Sequence, residues 1–262
     1  MNGSLWVAGA GIQMVSHVTL QTRGLIRHAQ KLLFLVSEPG TAAWLRRLQP
    51  GAESLDAFFL PGRSRQESYE RMLDHIASRL RDGCRLGVLL YGHPAVFSYL
   101  GPEAVRRARA AGCEAEMLPG ISAEDCLFAD LGAALDFDLS TAGYQCFEAT
   151  LFLLQHRRPD PLCALILWQI GIVGQYQYEL AGPNRAGLQL LAAELLRYYP
   201  AGHQVICYEA ANFPACPPSI QPMPLHRLPA AKITRLTTLL IPPAAAPPRD
   251  GEMAKKLGLP EA

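Results

Sequence analysis

The sequence predicts an α/β chain in two parts: a mostly parallel sheet with flanking helices, then a smaller α+β half. Three observations carry this. Up to about residue 135, short apolar runs alternate with helical segments, the pattern of βαβ units in a parallel sheet. Two of those runs stop abruptly, one at Tyr91-Gly92-His93-Pro94 and one at Pro119-Gly120-Ile121-Ser122, and each re-enters as a helix. After Asp136-Phe137-Asp138-Leu139-Ser140-Thr141-Ala142-Gly143 the composition changes, and Pro, Gly and Ala fill the connections. The expected division is therefore 1–140, 141–243 and a surface arm at 244–262.

Leu5-Trp6-Val7-Ala8 running into Gly9-Ala10-Gly11 predicts a first strand and glycine loop, then a helix over roughly 15–30. Met14 stands where the third glycine of GxGxxG belongs, and no ribose-binding acid follows about 20 residues on, so the dinucleotide fingerprint is weak. Residues 31–36 form the second strand and 42–48 a short helix. Ser64 with Glu67 three positions later has the capping-box form and starts a helix that runs to about Asp82, where Gly83 ends it. Arg65 and Tyr69 then share a face one turn apart. From the residues alone, they are a solvated arginine beside a half-buried tyrosine.

The central strand ends at Gly-His-Pro, which puts Tyr91 and His93 at the mouth of a buried strand, next to a helix N-terminus that favours a carboxylate. Carboxyl ends of parallel strands are where ligands bind, so this loop suits a zwitterionic small molecule. A helix over about 102–111, a strand at 113–118 and a helix opened by Ser122 repeat the joint on the same edge. Two such joints make a cleft. The second half holds strands at 145–148, 163–169, 204–209 and 236–241 and one helix over 185–199. The Pro/Ala-rich tail is weakly helical and carries no catalytic part.

The formal charge of +1 excludes a basic nucleic-acid surface or a general attraction to anionic membrane. Seven scattered cysteines with no CxxC pair fit buried thiols in a reducing cytoplasm rather than zinc or a disulfide framework, and no metal site is expected. The longest apolar run, 162–173, is too short to span a membrane, and no basic n-region opens the chain, so a cytoplasmic protein is expected.

Gly9-Ala10-Gly11, Tyr91-Gly92-His93-Pro94-Ala95-Val96-Phe97, Pro119-Gly120-Ile121-Ser122-Ala123-Glu124 and Thr237-Thr238-Leu239-Leu240-Ile241-Pro242-Pro243 resemble, in order and spacing, the tetrapyrrole (corrin/porphyrin) methylase superfamily. The resemblance covers about 3–243 and implies a two-domain fold that binds S-adenosylmethionine in a cleft between the domains. Within that superfamily, Arg65-Gln66-Glu67-Ser68-Tyr69-Glu70, Leu167-Trp168-Gln169-Ile170 and Tyr208-Glu209-Ala210-Ala211-Asn212 resemble the borosin peptide-backbone α-N-methyltransferases. His93 stands where tetrapyrrole enzymes usually carry the aspartate of Gly-Asp-Pro, which argues against a tetrapyrrole substrate.

Fungal borosins carry their substrate as a long C-terminal extension, whereas this sequence ends some twenty residues after Pro243. It therefore resembles the split type, acting on a separate precursor peptide. Phe58-Phe59 replaces a tyrosine that the family often has before the Arg65 helix. By resemblance the methyl donor lies among Tyr91, His93, Val96, Phe97, Ser122, Ala123, Gln169, Tyr208, Thr237 and Thr238. The same resemblance implies a homodimer that binds two precursor peptides as a heterotetramer.

The lone pair of a backbone amide nitrogen is delocalised into its carbonyl, so methylation needs a base near the N–H and positive charge near the oxygen. Tyr69 as the base and Arg65 as the cation meet both demands, and a guanidinium beside the phenol is expected to lower its pKa. The competing classes are methylation of a small molecule such as a tetrapyrrole, a non-catalytic binding module and, from the first glycine loop alone, an NAD oxidoreductase.

Overall fold

The computed structural model describes residues 3–13, 15–36, 38–60, 62–132, 143–177 and 182–260. Its first half holds β1 (Ser4–Gly9), α1 (Leu20–His28), β2 (Lys31–Leu35), α2 (Pro39–Leu48), β3 (Glu53–Ser54), α3 (Arg65–Arg81), β4 (Arg85–Leu90), α4 (Leu100–Ala110), β5 (Glu114–Leu118) and α5 (Ala123–Leu131). The five strands form one parallel sheet in the order β3-β2-β4-β1-β5. Because β1 lies between β4 and β5, the loops leaving all three strands meet at one carboxyl edge.

The second half holds β6 (Tyr144–Glu148), α6 (Ala149–Leu154), β7 (Ala164–Trp168), α7 (Arg185–Leu195), β8 (Gln204–Glu209), β9 (Ser219–Pro224), β10 (Thr238–Ile241) and α8 (Gly251–Lys256). Its sheet runs β6-β7-β10-β8-β9, parallel at β6/β7 and antiparallel elsewhere. Expected fold class and observed architecture agree. The expected joint at 136–143 lies outside the described residues except for Gly143.

Alternation along the strands builds both cores. On β4, Leu86, Val88 and Leu90 pack with Met72, Leu73 and Ile76 of α3, while Leu89 faces Ile26 of α1 and Leu45 of α2 on the other side. A strand buried on both faces reads as a continuous apolar run, which is why 86–90 was legible. On β7, Leu165 and Leu167 meet Leu188, Leu191 and Leu195 of α7; Ala164, Ile166 and Trp168 face Cys126 and Leu127 of α5. Helix α5 of the first half therefore packs on the second sheet.

Three expected elements are corrected. Helix α1 starts at Leu20, not near 15: Thr19 caps it by accepting from the Thr22 N–H, and Val15 at φ 64° cannot be helical. After Gly-His-Pro no helix follows at once; α4 begins only at Leu100, and Phe97 at φ 47° bends the intervening loop. Helix α7 stops at Leu195, whose carbonyl accepts from the N–H groups of both Tyr198 and Tyr199 as the helix turns off. Three elements had no sequence signal, and one of them, β3, is only two residues long. α6 is six residues long, and β9 carries Pro222 and Pro224, tolerated because it is an edge strand.

Several thiols sit inside these cores. Burial pushes Cys126 and Cys146 up to about 11 and Cys207 to about 12. The folded state thus holds these protons more tightly than the unfolded chain does. Their contribution to stability is complete below the ordinary thiol range and is lost as pH rises through the folded values. Urea midpoints should hold steady to about pH 8.5 and fall between roughly 9 and 12. Denaturation curves at stepped pH measure this, and a flat midpoint to pH 11 would refute it.

Candidate functional site

Three glycines make the floor of a cleft at the carboxyl edge of the first sheet. A Cβ on Gly9 would lie 2.2 Å from the Gly92 carbonyl oxygen and 2.7 Å from the Gly120 Cα. Gly92, at φ +68°, exchanges backbone hydrogen bonds with Gly11, at φ +74°. The glycine loop expected to approach a ligand instead approaches two neighbouring loops. Above this floor, between the two sheets, lies a cleft of about 660 Å³, within the range of small-molecule sites.

Eleven of the twelve sequence-predicted site residues line that cleft: Arg65, Tyr69, Tyr91, His93, Val96, Phe97, Ser122, Ala123, Gln169, Tyr208 and Thr238. Thr237 does not. It is buried, and its hydroxyl accepts from the Thr234 N–H at 2.8 Å and meets Glu209 at 3.3 Å.

The walls are apolar and partly strained. The Phe97 ring tilts over Trp168 at 5.7 Å, with Val96 beside it. Phe97 and Gln169, at φ 47° and 61°, both occupy the left-handed region that non-glycine residues avoid. Such outliers persist where the surroundings over-determine them and cluster at ligand clamps. Gln169 caps the three-residue 3-10 turn Ile170–Ile172 directly after β7.

Polar groups are already partly committed. His93 Nδ1 accepts from the Ala95 N–H at 3.1 Å, leaving Nε2 to donate, so His93 is both a satisfied loop histidine and a cleft residue. The Ser122 hydroxyl and N–H are consumed by the capping box with Asp125, so this residue offers less to a ligand than its position suggests. Ala123 instead opens α5, where the first N–H groups lack a helical acceptor. The Tyr208 hydroxyl donates to Asp130 at 2.7 Å; burial and that bond hold the phenol well above its ordinary value.

Arg65 and Tyr69 sit at the opening of α3, whose Ser64–Glu67 capping box forms as expected. A cation in the first helical turn opposes the macrodipole, a local cost that marks Arg65 as placed for something other than helix stability. The Arg65 N–H donates to the Tyr176 carbonyl at 3.2 Å, tying this helix start to the segment that follows Gln169. Tyr69 is wedged between Phe59 and Tyr99, with ring centroids at 5.9 and 6.0 Å. Phe59 also lines the cleft where the resemblance carries a tyrosine, so an apolar edge replaces that hydroxyl.

One electrostatic expectation is overturned. Burial outweighs the Arg65 guanidinium, and the Tyr69 phenol is held above its usual value rather than below it. The aromatic wedge that orients the ring also dehydrates it, and the phenolate loses more from lost water than it gains from one cation.

Sequence reading missed Glu38, Glu209, Arg235 and Trp168, all in the cleft lining. Glu38 opens α2 at a position with no motif. Trp168 and Glu209 lay within quoted stretches but looked like ordinary strand residues.

A family model described as Tetrapyrrole (Corrin/Porphyrin) Methylases matches residues 4–211, which include both strand-end loops and most of the cleft. The chain belongs to the tetrapyrrole methylase family. The fold of this chain matches uroporphyrin-III-C-methyltransferase from Thermus thermophilus at a TM-score of 0.64 and 19% identity, covering 100% of this chain and 99% of that one. A second structure of that enzyme, complexed with S-adenosyl homocysteine, matches at a TM-score of 0.60 and 19% identity over 91% of this chain and 97% of the other.

Higher identity is found elsewhere. The chain is 33% identical to the methyltransferase/ribosomally synthesized type I borosin cyclic peptide precursor of Serendipita vermifera subsp. bescii, over 98% of this chain and 63% of the relative. It is 34% identical to the gymnopeptides precursor of Gymnopus fusipes, over 92% and 57%. The omphalotin A precursor of Omphalotus olearius matches at 32%, over 98% and 62%. The chain thus spans roughly six-tenths of the length of these relatives. Among the described residues no helix is long and apolar enough to cross a membrane.

Proposed function

We propose that this chain is an S-adenosylmethionine-dependent α-N-methyltransferase of peptide backbone amides. One observation carries the reading: a guanidinium and a phenol one turn apart on α3 line the same cleft as the loop of Tyr91, His93 and Phe97. The identity to borosin precursors supports it over a tetrapyrrole substrate.

The residues present fit S-adenosylmethionine. Its bulk needs a partly apolar cleft of several hundred Å³, which Val96, Phe97 and Trp168 wall. Its carboxylate suits the opening of α5 at Ala123 and the donor Nε2 of His93. When bound, it supplies an electrophilic methyl group on a sulfonium centre. Everything else falls to the chain. Arg65 faces the amide oxygen and stabilises charge as the imidate develops. Tyr69 takes the amide proton through its phenolate. The raised pKa makes that phenolate scarce at neutral pH and more basic when it forms.

The finer parts of the proposal are that the substrate is a separate precursor peptide, that methylation is iterative, and that the enzyme is a homodimer binding two peptides. The two halves, 1–140 and 141–243, then meet at this cleft, and 244–262 is a surface arm. Incubation with S-adenosylmethionine and the peptide encoded beside the gene tests it. Fragment mass spectra should show successive methyl gains on backbone nitrogens of that peptide and none on the enzyme. Methylation of a tetrapyrrole but not the peptide would overturn the proposal.

A further inference from the structure

We propose that Glu38 and Asn212 are positioning residues that set the hydrogen-bond polarity of the Tyr91 hydroxyl, making it an acceptor toward the cleft. The inference rests on the reading of this cleft as an amide methylation site. Three segments converge. Glu38 is the N-cap of α2, Tyr91 follows β4 directly, and Asn212 lies three residues past β8 on the second sheet. The Asn212 Nδ2 donates to Glu38 Oε1 at 2.9 Å, and the Tyr91 hydroxyl donates to Asn212 Oδ1 at 3.4 Å. These contacts join the two sheets across the cleft. Although Glu38 holds the N-cap position of α2, its carboxylate makes no cap hydrogen bond there.

The logic is one of donors and acceptors. An asparagine amide can face either way, but an ionised carboxylate only accepts, so Glu38 obliges Asn212 to turn its NH2 toward it. The carbonyl end is left facing Tyr91, which must donate. A phenol has one proton. With that proton given to Asn212, only lone pairs remain for the cleft, which Tyr91 lines. Burial, Cys126 and the carboxylates of Glu209 and Glu38 all hold the phenol above its ordinary value, so the proton stays in place at neutral pH.

An acceptor here has a chemical use. It holds the N–H of an amide awaiting methylation until Tyr69 takes that proton, whereas a donor would compete for the nitrogen lone pair. Once the nitrogen is methylated, the N–H is gone and so is the bond. The network therefore favours unmethylated amide over product at the same position.

The test exploits the polarity. Glu38→Lys puts an obligate donor where the carboxylate only accepts, so the asparagine carbonyl turns to it and the NH2 faces Tyr91; Asn212→Asp leaves a group that only accepts, so Tyr91 still donates. In the double variant the new lysine donates to the new carboxylate, whose other oxygen still accepts from Tyr91. Expected kcat falls about tenfold in Glu38→Lys, the worth of one hydrogen bond turned the wrong way, with less effect on peptide KM. It returns to within about threefold of wild type in the double variant. Thermal melting of each variant checks the fold. A double variant as slow as Glu38→Lys while melting normally overturns the proposal. So does an equal loss when the same changes are made in Tyr91→Phe.

A second readout is independent of methylation. The 13C-ζ tyrosine resonance that disappears in Tyr91→Phe should shift in Glu38→Lys and return in the double variant. If wild type methylates no peptide, the function proposed above fails while this resonance still decides the polarity. A resonance unmoved in Glu38→Lys overturns the inference.

Discussion

Replacing Tyr69 by phenylalanine should lower peptide methylation by about a hundredfold to ten-thousandfold, the usual worth of a positioned base. Arg65→Leu should lose about a hundredfold to a thousandfold, the cost of removing one oxyanion donor. Because Tyr69 is wedged between Phe59 and Tyr99, the phenylalanine keeps both ring contacts, and thermal melting should hardly change. The pH profile separates base from scaffold. With the phenol above its ordinary value, the phenolate fraction grows about tenfold per pH unit through the neutral range, and wild-type kcat should rise with it. In Tyr69→Phe the rise should vanish. Rates measured from pH 6.5 to 8.5, below the expected loss of core stability, check this; a wild-type rate flat across that range removes Tyr69 from proton transfer.

Gly9→Ala should be strongly destabilising. Its Cβ meets backbone on two neighbouring loops, the Gly92 oxygen at 2.2 Å and the Gly120 Cα at 2.7 Å, and neither can rotate away as a side chain would. Overpacking of this kind costs about 3 kcal/mol or more, against about 0.5 for an unconstrained surface position. Gly51→Ala is the control, since a Cβ there has nothing within 4 Å. Urea denaturation of both variants and calorimetric titration with S-adenosyl homocysteine would show Gly9→Ala destabilised with its cleft impaired. Gly9→Ala denaturing like wild type would mean that the three loops do not meet as described.

The parts of the fold legible in sequence share one property: their signal is local. Strand β4 announces itself as an unbroken apolar run because both faces are buried, and α3 by a capping box that closes within four residues. Strand β9 stayed hidden because its two prolines speak against a strand, and only its edge position beside β8 permits them. The start of α1 was misplaced because apolar periodicity continues through residues whose backbone is bent by Val15.

The site divides in the same way. Arg65 and Tyr69 share a helix face by spacing alone, so their pairing was available before any coordinates. What that spacing could not supply was the dielectric around them. Phe59 and Tyr99 arrive from other segments, and their packing reverses the expected direction of the Tyr69 shift. Glu38 is the same case at longer range: it meets Asn212 174 positions away, and no local pattern encodes that contact. Residue order was enough to name the family's loops, the helix that bears Arg65 and Tyr69 and the mouth of the cleft. Burial, hydrogen-bond polarity and the closeness of three glycine loops depend on distances between segments remote in the chain, and these exist only once both sheets have formed and packed.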